Sequence, residues 1–197
     1  MRKKAVLTTQ IYRKYNDTDR YMVEVALDSY EDIFNEWDPV PFKRRDVHPS
    51  LVAFFEECSS EISIKHPLAV VFYLPKRELD AEKQEQCASG LRNYFAFSVH
   101  VLDKQLVRSH KHSFRNALIG VLFLFTAVYF EKSFDQTLFR SLFGQGLFIG
   151  GWVFVWETFS TLAFKDNSIR FKIKEWQRYL DAPIVFKREK QPDQSMS

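Results

Sequence analysis

One carboxylate, Glu157, stands inside the most apolar stretch of this 197-residue chain, residues 141–164. An ionised carboxyl within hydrocarbon is costly, so such a group faces a partner or a water-filled cavity. Helical spacing sets Glu157, Ser160, Thr161 and Phe164 on one face, and Gln145 and Thr158 give the same segment further polar groups. That is the chemistry of a polar path across a membrane, not of bond making. The bland alternative places Glu157 near the membrane surface, where it meets a Lys or Arg. Seven residues separate it from Phe164, roughly 10 Å at helical rise, which leaves both readings open. Gly144, Gly146, Gly150 and Gly151 permit close helix approach, and Gly146 and Gly150 have small-xxx-small spacing. Two spans cannot enclose a pore, so a conduit would require several copies with this helix lining the path.

A second group is basic: Lys104, Arg108, His110, Lys111, His112 and Arg115. It suits anionic lipid headgroups or a phosphate-bearing regulator held against a membrane. Lipid contact with positive-inside topology explains it without further assumption. His110 and His112 lack a Cys or carboxylate partner at metal-ligand spacing, so no metal is expected. The third group is the loop from Asp28 to Asp46, with acids, Trp37, Pro39, Pro41 and the cations Lys43, Arg44 and Arg45. It reads either as a partner surface or as a loop packing Trp37 and Phe42 onto a sheet. No nucleophile–base pair and no phosphate-cradling glycine loop is present. The expectation is therefore a non-enzyme with no catalytic residues and no cofactor.

These groups must be positioned by a modest set of elements. Val6 to Tyr12 and Tyr21 to Leu27 read as strands joined by the turn Asn16-Asp17-Thr18-Asp19, a hairpin. A helix is expected from near Asp46, capped by that residue, with Leu51, Phe54, Phe55, Cys58 and Ile62 on its buried face. Cys58 is then a core residue, and free thiols are the natural state of Cys58 and Cys87. Leu68 to Leu74 is a continuous apolar run that fits a central strand. From Asp80 the chain turns helical through Cys87, Leu91, Tyr94 and Phe95. Residues 95–101 also alternate like a strand, but one long helix is preferred. A helix over 169–180 and a strand over 183–187 follow the apolar segments, so strands before and after them would complete one sheet.

The average hydropathy is slightly negative, yet charges are unevenly spread and Phe is over-used, at 20 residues. Residues 116–130 carry no charge, and starting at Ser113 gives a span of about 18 residues if Arg115 reaches the interface. Residues 141–164 carry Glu157 alone. A soluble helix keeps a polar stripe; these segments are aromatic on every side, which disfavours a hairpin buried in a soluble core. Trp152 and Trp156 lie within the second span, which suggests packing against protein. Lys104, Arg108, Lys111 and Arg115 precede the pair, and Lys165, Arg170, Lys172, Lys174 and Arg178 follow it. Glu131, Lys132, Asp135 and Arg140 cancel in the connecting loop. Positive flanks predict cytoplasmic termini in the inner (plasma) membrane. The start Met1-Arg2-Lys3-Lys4, leading into Ala5-Val6-Leu7, is too short and polar for a signal's apolar core.

The fold class expected is thus a small α+β or α/β cytoplasmic domain with an inserted two-helix transmembrane hairpin. Residues 1–103 begin that domain, 104–115 form a basic juxtamembrane helix, 116–164 the hairpin, 165–188 the completing helix and strand, and 189–197 a polar tail. The net charge of +3 is too small to argue nucleic-acid binding.

The strings Asp38-Pro39-Val40-Pro41-Phe42-Lys43-Arg44-Arg45-Asp46 with Pro49, Leu91-Arg92-Asn93-Tyr94-Phe95, and Ile149-Gly150-Gly151-Trp152-Val153 with Trp156 occur in that order. Together they resemble a family of small bacterial two-span membrane proteins of undefined function, over most of the chain. Its relatives tend to carry Pro after the second Trp, where Glu157-Thr158 stands here, so the resemblance assigns Glu157 no family role. In size and layout the chain is also similar to membrane channel effectors of antiphage systems such as Hailong. There a nucleotidyltransferase product is proposed to control a channel; the similarity carries no residues. It implies an oligomeric channel effector in the bilayer, gated by a nucleotide or oligonucleotide ligand or a cytoplasmic regulatory protein. The rival is a membrane-anchored adaptor whose hairpin only tethers a protein-binding domain.

Overall fold

The computed structural model describes residues 11–16, 18–35, 37, 46–75, 80–133 and 138–188, with side chains described over the same ranges apart from 130–133 and 138–141. The expected first strand up to Gln10, the 38–45 segment with Lys43, Arg44 and Arg45, the 134–137 connection and the tail from 189 lie outside them. Most of the described chain is helical, with one small sheet. Two compact units divide it, Met1–His100 with Lys174–Ser197, and Val101–Ile173.

The first unit is organised by three parallel strands, β1 (Tyr21–Ala26), β2 (Leu68–Leu74) and β3 (Ile184–Arg188), in the order β1-β2-β3. A central parallel strand is covered on both faces, which is why LAVVFYL runs apolar without alternation. All of β2 except Tyr73 is buried. The register sets Val25 opposite Phe72 and Phe72 opposite Phe186. Phe72 stacks on Phe186 at 5.3 Å, and Tyr30 meets the Phe186 ring edge-on at 5.6 Å. Strands on either side of the long helical stretch thus share one sheet, as expected. The turn at Asn16, with φ of 44°, folds Lys14 back antiparallel to Tyr21 as an isolated bridge, while the sheet partner of β1 is the parallel β2.

Helix α1 spans Pro49–Glu61. Its cap is His48, whose Nδ1 accepts from the Ser50 N–H at 3.2 Å, not Asp46 as the sequence suggested. The Asp46 carbonyl instead accepts from the Asn35 N–H at 2.8 Å, beside the antiparallel bridge of Phe34 with Val47. Asn35 and Asp46, on either side of residues 36–45, are therefore fastened together. Leu51, Phe55, Cys58 and Ile62 are buried as expected, but Phe54 is 39% exposed because it sits a helical step away from that face.

Helix α2 runs unbroken over Ala81–Ser133, with the Asp80 carboxylate accepting from the Glu82 N–H at 2.9 Å. The ambiguous 95–101 segment is helical. Cys87, Leu91 and Phe95 are buried at four-residue spacing, whereas Phe97 is 64% exposed, so the alternation there is incidental. Helix α3 (Leu138–Ser160) passes through one wide π turn, Thr161–Lys165, into α4 (Asp166–Leu180). The expected interval between the second apolar segment and the last helix is absent. The Asp166 N–H bonds the Thr161 carbonyl, five residues back, so the backbone is satisfied without a break.

The core of the first unit closes with aromatic rings. Phe55, Phe95, Trp176 and Tyr179 lie with centroids 4.9 to 5.9 Å apart, and the Tyr179 hydroxyl donates to the Phe55 carbonyl at 2.7 Å. Arg178 acts as a staple. Its guanidinium donates to the Ser59 Oγ at 2.8 Å and the Ser63 carbonyl at 2.9 Å, and reaches the carbonyls of Ile62 and His66 at 3.4 and 3.3 Å. It thereby supplies donors to the carbonyls of the turn that leaves α1, from its C-cap Ile62 to His66. Sequence reasoning counted Arg178 with the basic membrane flank; the fold assigns it to the core.

In the second unit α2 and α3 pack side by side. A Cβ on Gly120 would lie 3.0 Å from the Gly151 carbonyl, and one on Gly151 would lie 2.9 Å from the Leu124 side chain. Phe123 meets Phe154 edge-on at 5.7 Å. The close pair within the chain is thus Gly120 with Gly151. Gly150 faces the Phe123 ring, and Gly144 and Gly146 have nothing within 4 Å, so the expected Gly146/Gly150 pair makes no such contact here. Both helices are long and apolar enough to cross a membrane, and only 17% and 6% of their most apolar windows are buried. Trp152 and Trp156 are 57% and 59% exposed, so this chain does not itself supply the protein packing expected of them.

Candidate functional site

Val101, Gln105, Arg108, His112 and Asn116 recur every three or four residues and so share one face of α2. With Lys104, Ser109, Ser113 and Arg115 they line one side of a cleft of about 680 Å³. Glu157 from α3 and Thr161 and Lys165 from the π turn line the other. Two groups singled out separately in the sequence, the basic segment and Glu157 with Thr161, are therefore brought together. Lys111, Ser160 and Gln145 do not line the cleft. Trp37 belongs to the other unit and is 91% exposed, so it does not pack onto the sheet.

Four cations, Lys104, Arg108, Arg115 and Lys165, share the cleft with one carboxylate, Glu157. Arg115 Nη2 lies 3.1 Å from His112 Nδ1. Among the described residues, Lys104, Arg108, Lys165 and Glu157 form no ion pair, although charges of both signs line the same space. The cleft wall holds a further unsatisfied group: Ser113, 4% exposed, has an Oγ with no hydrogen-bond partner. A buried hydroxyl without a partner costs about 1–3 kcal/mol, so Ser113 is a strained point of this wall. The neighbouring Thr158 hydroxyl is satisfied, donating to the Phe154 carbonyl at 2.9 Å and lying 3.3 Å from the Ser113 carbonyl.

Beside this wall lies a buried acid that sequence reasoning missed. Asp166 is 3% exposed; Ser109 Oγ donates to its Oδ1 at 2.9 Å, and His110 Nε2 lies 2.7 Å from its Oδ2. A carboxylate taken out of water needs such partners. The π turn supplies the phase: one additional residue per turn rotates every later side chain about the axis, which sets Asp166 opposite Ser109 and His110. An acid immediately after Lys165, with a histidine at the start of the other apolar segment, was the available signal. His110, read at first as part of the basic stretch, serves this contact instead of lining the cleft.

Neither thiol belongs to the site. Cys58 and Cys87 are free and buried; burial pushes the Cys58 thiol up and the Cys87 thiol up to about 12. Among the described residues no group of three His, Cys, Asp or Glu side chains could hold a metal ion. What the cleft offers is recognition, with cationic donors and one carboxylate. No protein family, curated protein or solved structure matches the chain.

Proposed function

We propose that the chain is an inner-membrane effector whose α2–α3 pair spans the bilayer with both termini cytoplasmic. Several copies assemble into an ion conduit controlled through the cytoplasmic unit. The observation that carries this reading is the outward apolar surface of the pair. Phe114, Phe125 and Tyr129 on α2 are 66–71% exposed, and Leu142, Ile149, Trp152 and Phe159 on α3 are 57–63% exposed. Apolar area left in water forfeits about 25 cal/mol per Å², whereas in lipid it is matched by its surroundings. The flanks favour the orientation, with Lys104, Arg108, Lys111 and Arg115 before the pair and Lys165, Arg170, Lys172 and Lys174 after it. Gly144 and Gly146, open on α3, leave room for a helix of another copy, and the resemblance to channel effectors points the same way.

A second reading, the membrane-anchored adaptor, is favoured by two details. Glu157 already lies in a polar cleft within one chain, and Trp37 stands free as a protein-docking residue would. Ion flux from liposomes containing the purified chain separates the two. A conduit gives leakage that Glu157→Ala and Gly151→Leu alter by severalfold. Vesicles that stay tight with added nucleotides, oligonucleotides and cytoplasmic partners assign the chain to the adaptor class.

A further inference from the structure

We infer that the cleft is a binding site for a phosphate ester that also carries an amine, the chemistry of a phosphoethanolamine headgroup. The lipid form of the ligand rests on the membrane-spanning reading above; the recognition chemistry does not. Lys104, Arg108 and Lys165 line the cleft without an ion-pair partner among the described residues. A phosphate answers all three, because its oxygens accept several charge-assisted bonds at once. A bare anion leaves Glu157 unanswered, since an added negative charge in the same space repels the carboxylate. An ammonium group a few bonds from the phosphate removes that conflict by pairing with Glu157. Charges of opposite sign that face one space without touching call for a ligand bearing both signs. The volume, about 680 Å³, lies within the range of small-molecule sites and exceeds a single inorganic ion.

Lys165 and Thr161 reach the cleft from the π turn, and Ser109, another lining residue, is held by the buried Asp166 just beyond it. A filled cleft therefore bridges α2 to the wide turn that follows α3, within one unit.

The test uses the full chain in detergent, with native mass spectrometry counting bound short-chain phosphatidylethanolamine, phosphatidylcholine and phosphatidylglycerol. Free phosphoethanolamine is titrated in parallel by calorimetry. The wild type should retain phosphatidylethanolamine over phosphatidylglycerol by about tenfold, the effect of one charge-assisted bond. Glu157→Gln should erase that preference while keeping phosphatidylglycerol binding, and Arg108→Gln should weaken both lipids by about tenfold. Binding of free phosphoethanolamine with the same Glu157 dependence identifies a soluble ligand as the source and supports the inference equally. Equal or better binding of phosphatidylglycerol by the wild type, with Glu157→Gln silent, overturns it, as does no binding by any probe. Circular dichroism checks that both variants keep their helices. Alkaline carbonate extraction of wild-type membranes is run alongside. Protein that resists extraction yet shows no amine preference sinks the inference alone, whereas protein released by carbonate sinks the spanning reading.

Discussion

The two units of this chain use aromatic and aliphatic residues in opposite ways. In the α/β unit Phe55, Phe72, Phe95 and Tyr179 are each at most 1% exposed, and each of these four rings meets another ring. In the helical pair Phe114, Phe125, Phe159 and Phe164 are 58–71% exposed, and the backbones approach most closely at a seam of Gly120 and Gly151. The difference teaches that composition does not decide what apolar residues do. The first set is stabilised by the chain itself; the second waits for a surrounding that the chain does not provide.

Paired truncations break or sharpen that contrast most strongly. Phe95→Ala should cost about 3–5 kcal/mol of unfolding free energy by removing a ring from a packed cluster. Phe125→Ala in detergent should move the midpoint little, within about 0.5 kcal/mol. Equal losses at the two sites would mean that the helical pair also hides a core. Next in size, Arg178→Ala should cost about 2–3 kcal/mol, because it strips charge-assisted donors from the end of α1. Denaturant unfolding of the full chain reads it. Gly151→Leu should cost about 1–3 kcal/mol by overpacking the seam against Leu124, whereas Gly146→Leu, in open space, should leave a single chain unchanged. A loss at Gly146 that appears only in assembled protein would place the contact between copies.

The smallest effect is a pH slope. The folded Cys87 thiol holds its proton up to about 12, because burial disfavours the thiolate, while an unfolded thiol releases it near about 8.5. Below that value both states are protonated and nothing depends on pH. As pH rises into the window between them only the unfolded state ionises, so stability falls. From neutrality to about pH 9.5 the Cys87 share of the loss should be about 1.4 kcal/mol; Cys87→Ala should remove that share and leave the slope due to Cys58, whose buried thiol is also raised.

Legibility followed the same division. β2 was evident because a strand covered on both faces must be apolar throughout, and the 53-residue α2 emerged once Leu91 and Phe95 were weighed above the alternation at 95–101. The apolar segments were plain from composition. Partners were not. Gly120 means nothing until Gly151 is known to lie against it, and Arg178 looks like any flanking cation until the carbonyls of α1 converge on it. Asp166 depends on a turn of unusual width that no local residue pattern announces. The cleft was half visible: the sequence allowed Glu157 to meet some Lys or Arg, but not which ones, because that requires two segments more than forty residues apart to pack side by side.

The π turn at Thr161–Lys165 has a consequence of its own. An uninterrupted α-helix ties the azimuth of every residue to that of the first, so the apolar segment would dictate which side of its continuation turns inward. One surplus residue resets the dial by about 100°. Ahead of the turn Trp152, Trp156 and Phe159 lie outward; beyond it Asp166, Ile169 and Ile173 are buried, each set on its own bearing. Deleting a single residue there would leave both helices intact and point the second one in the wrong direction.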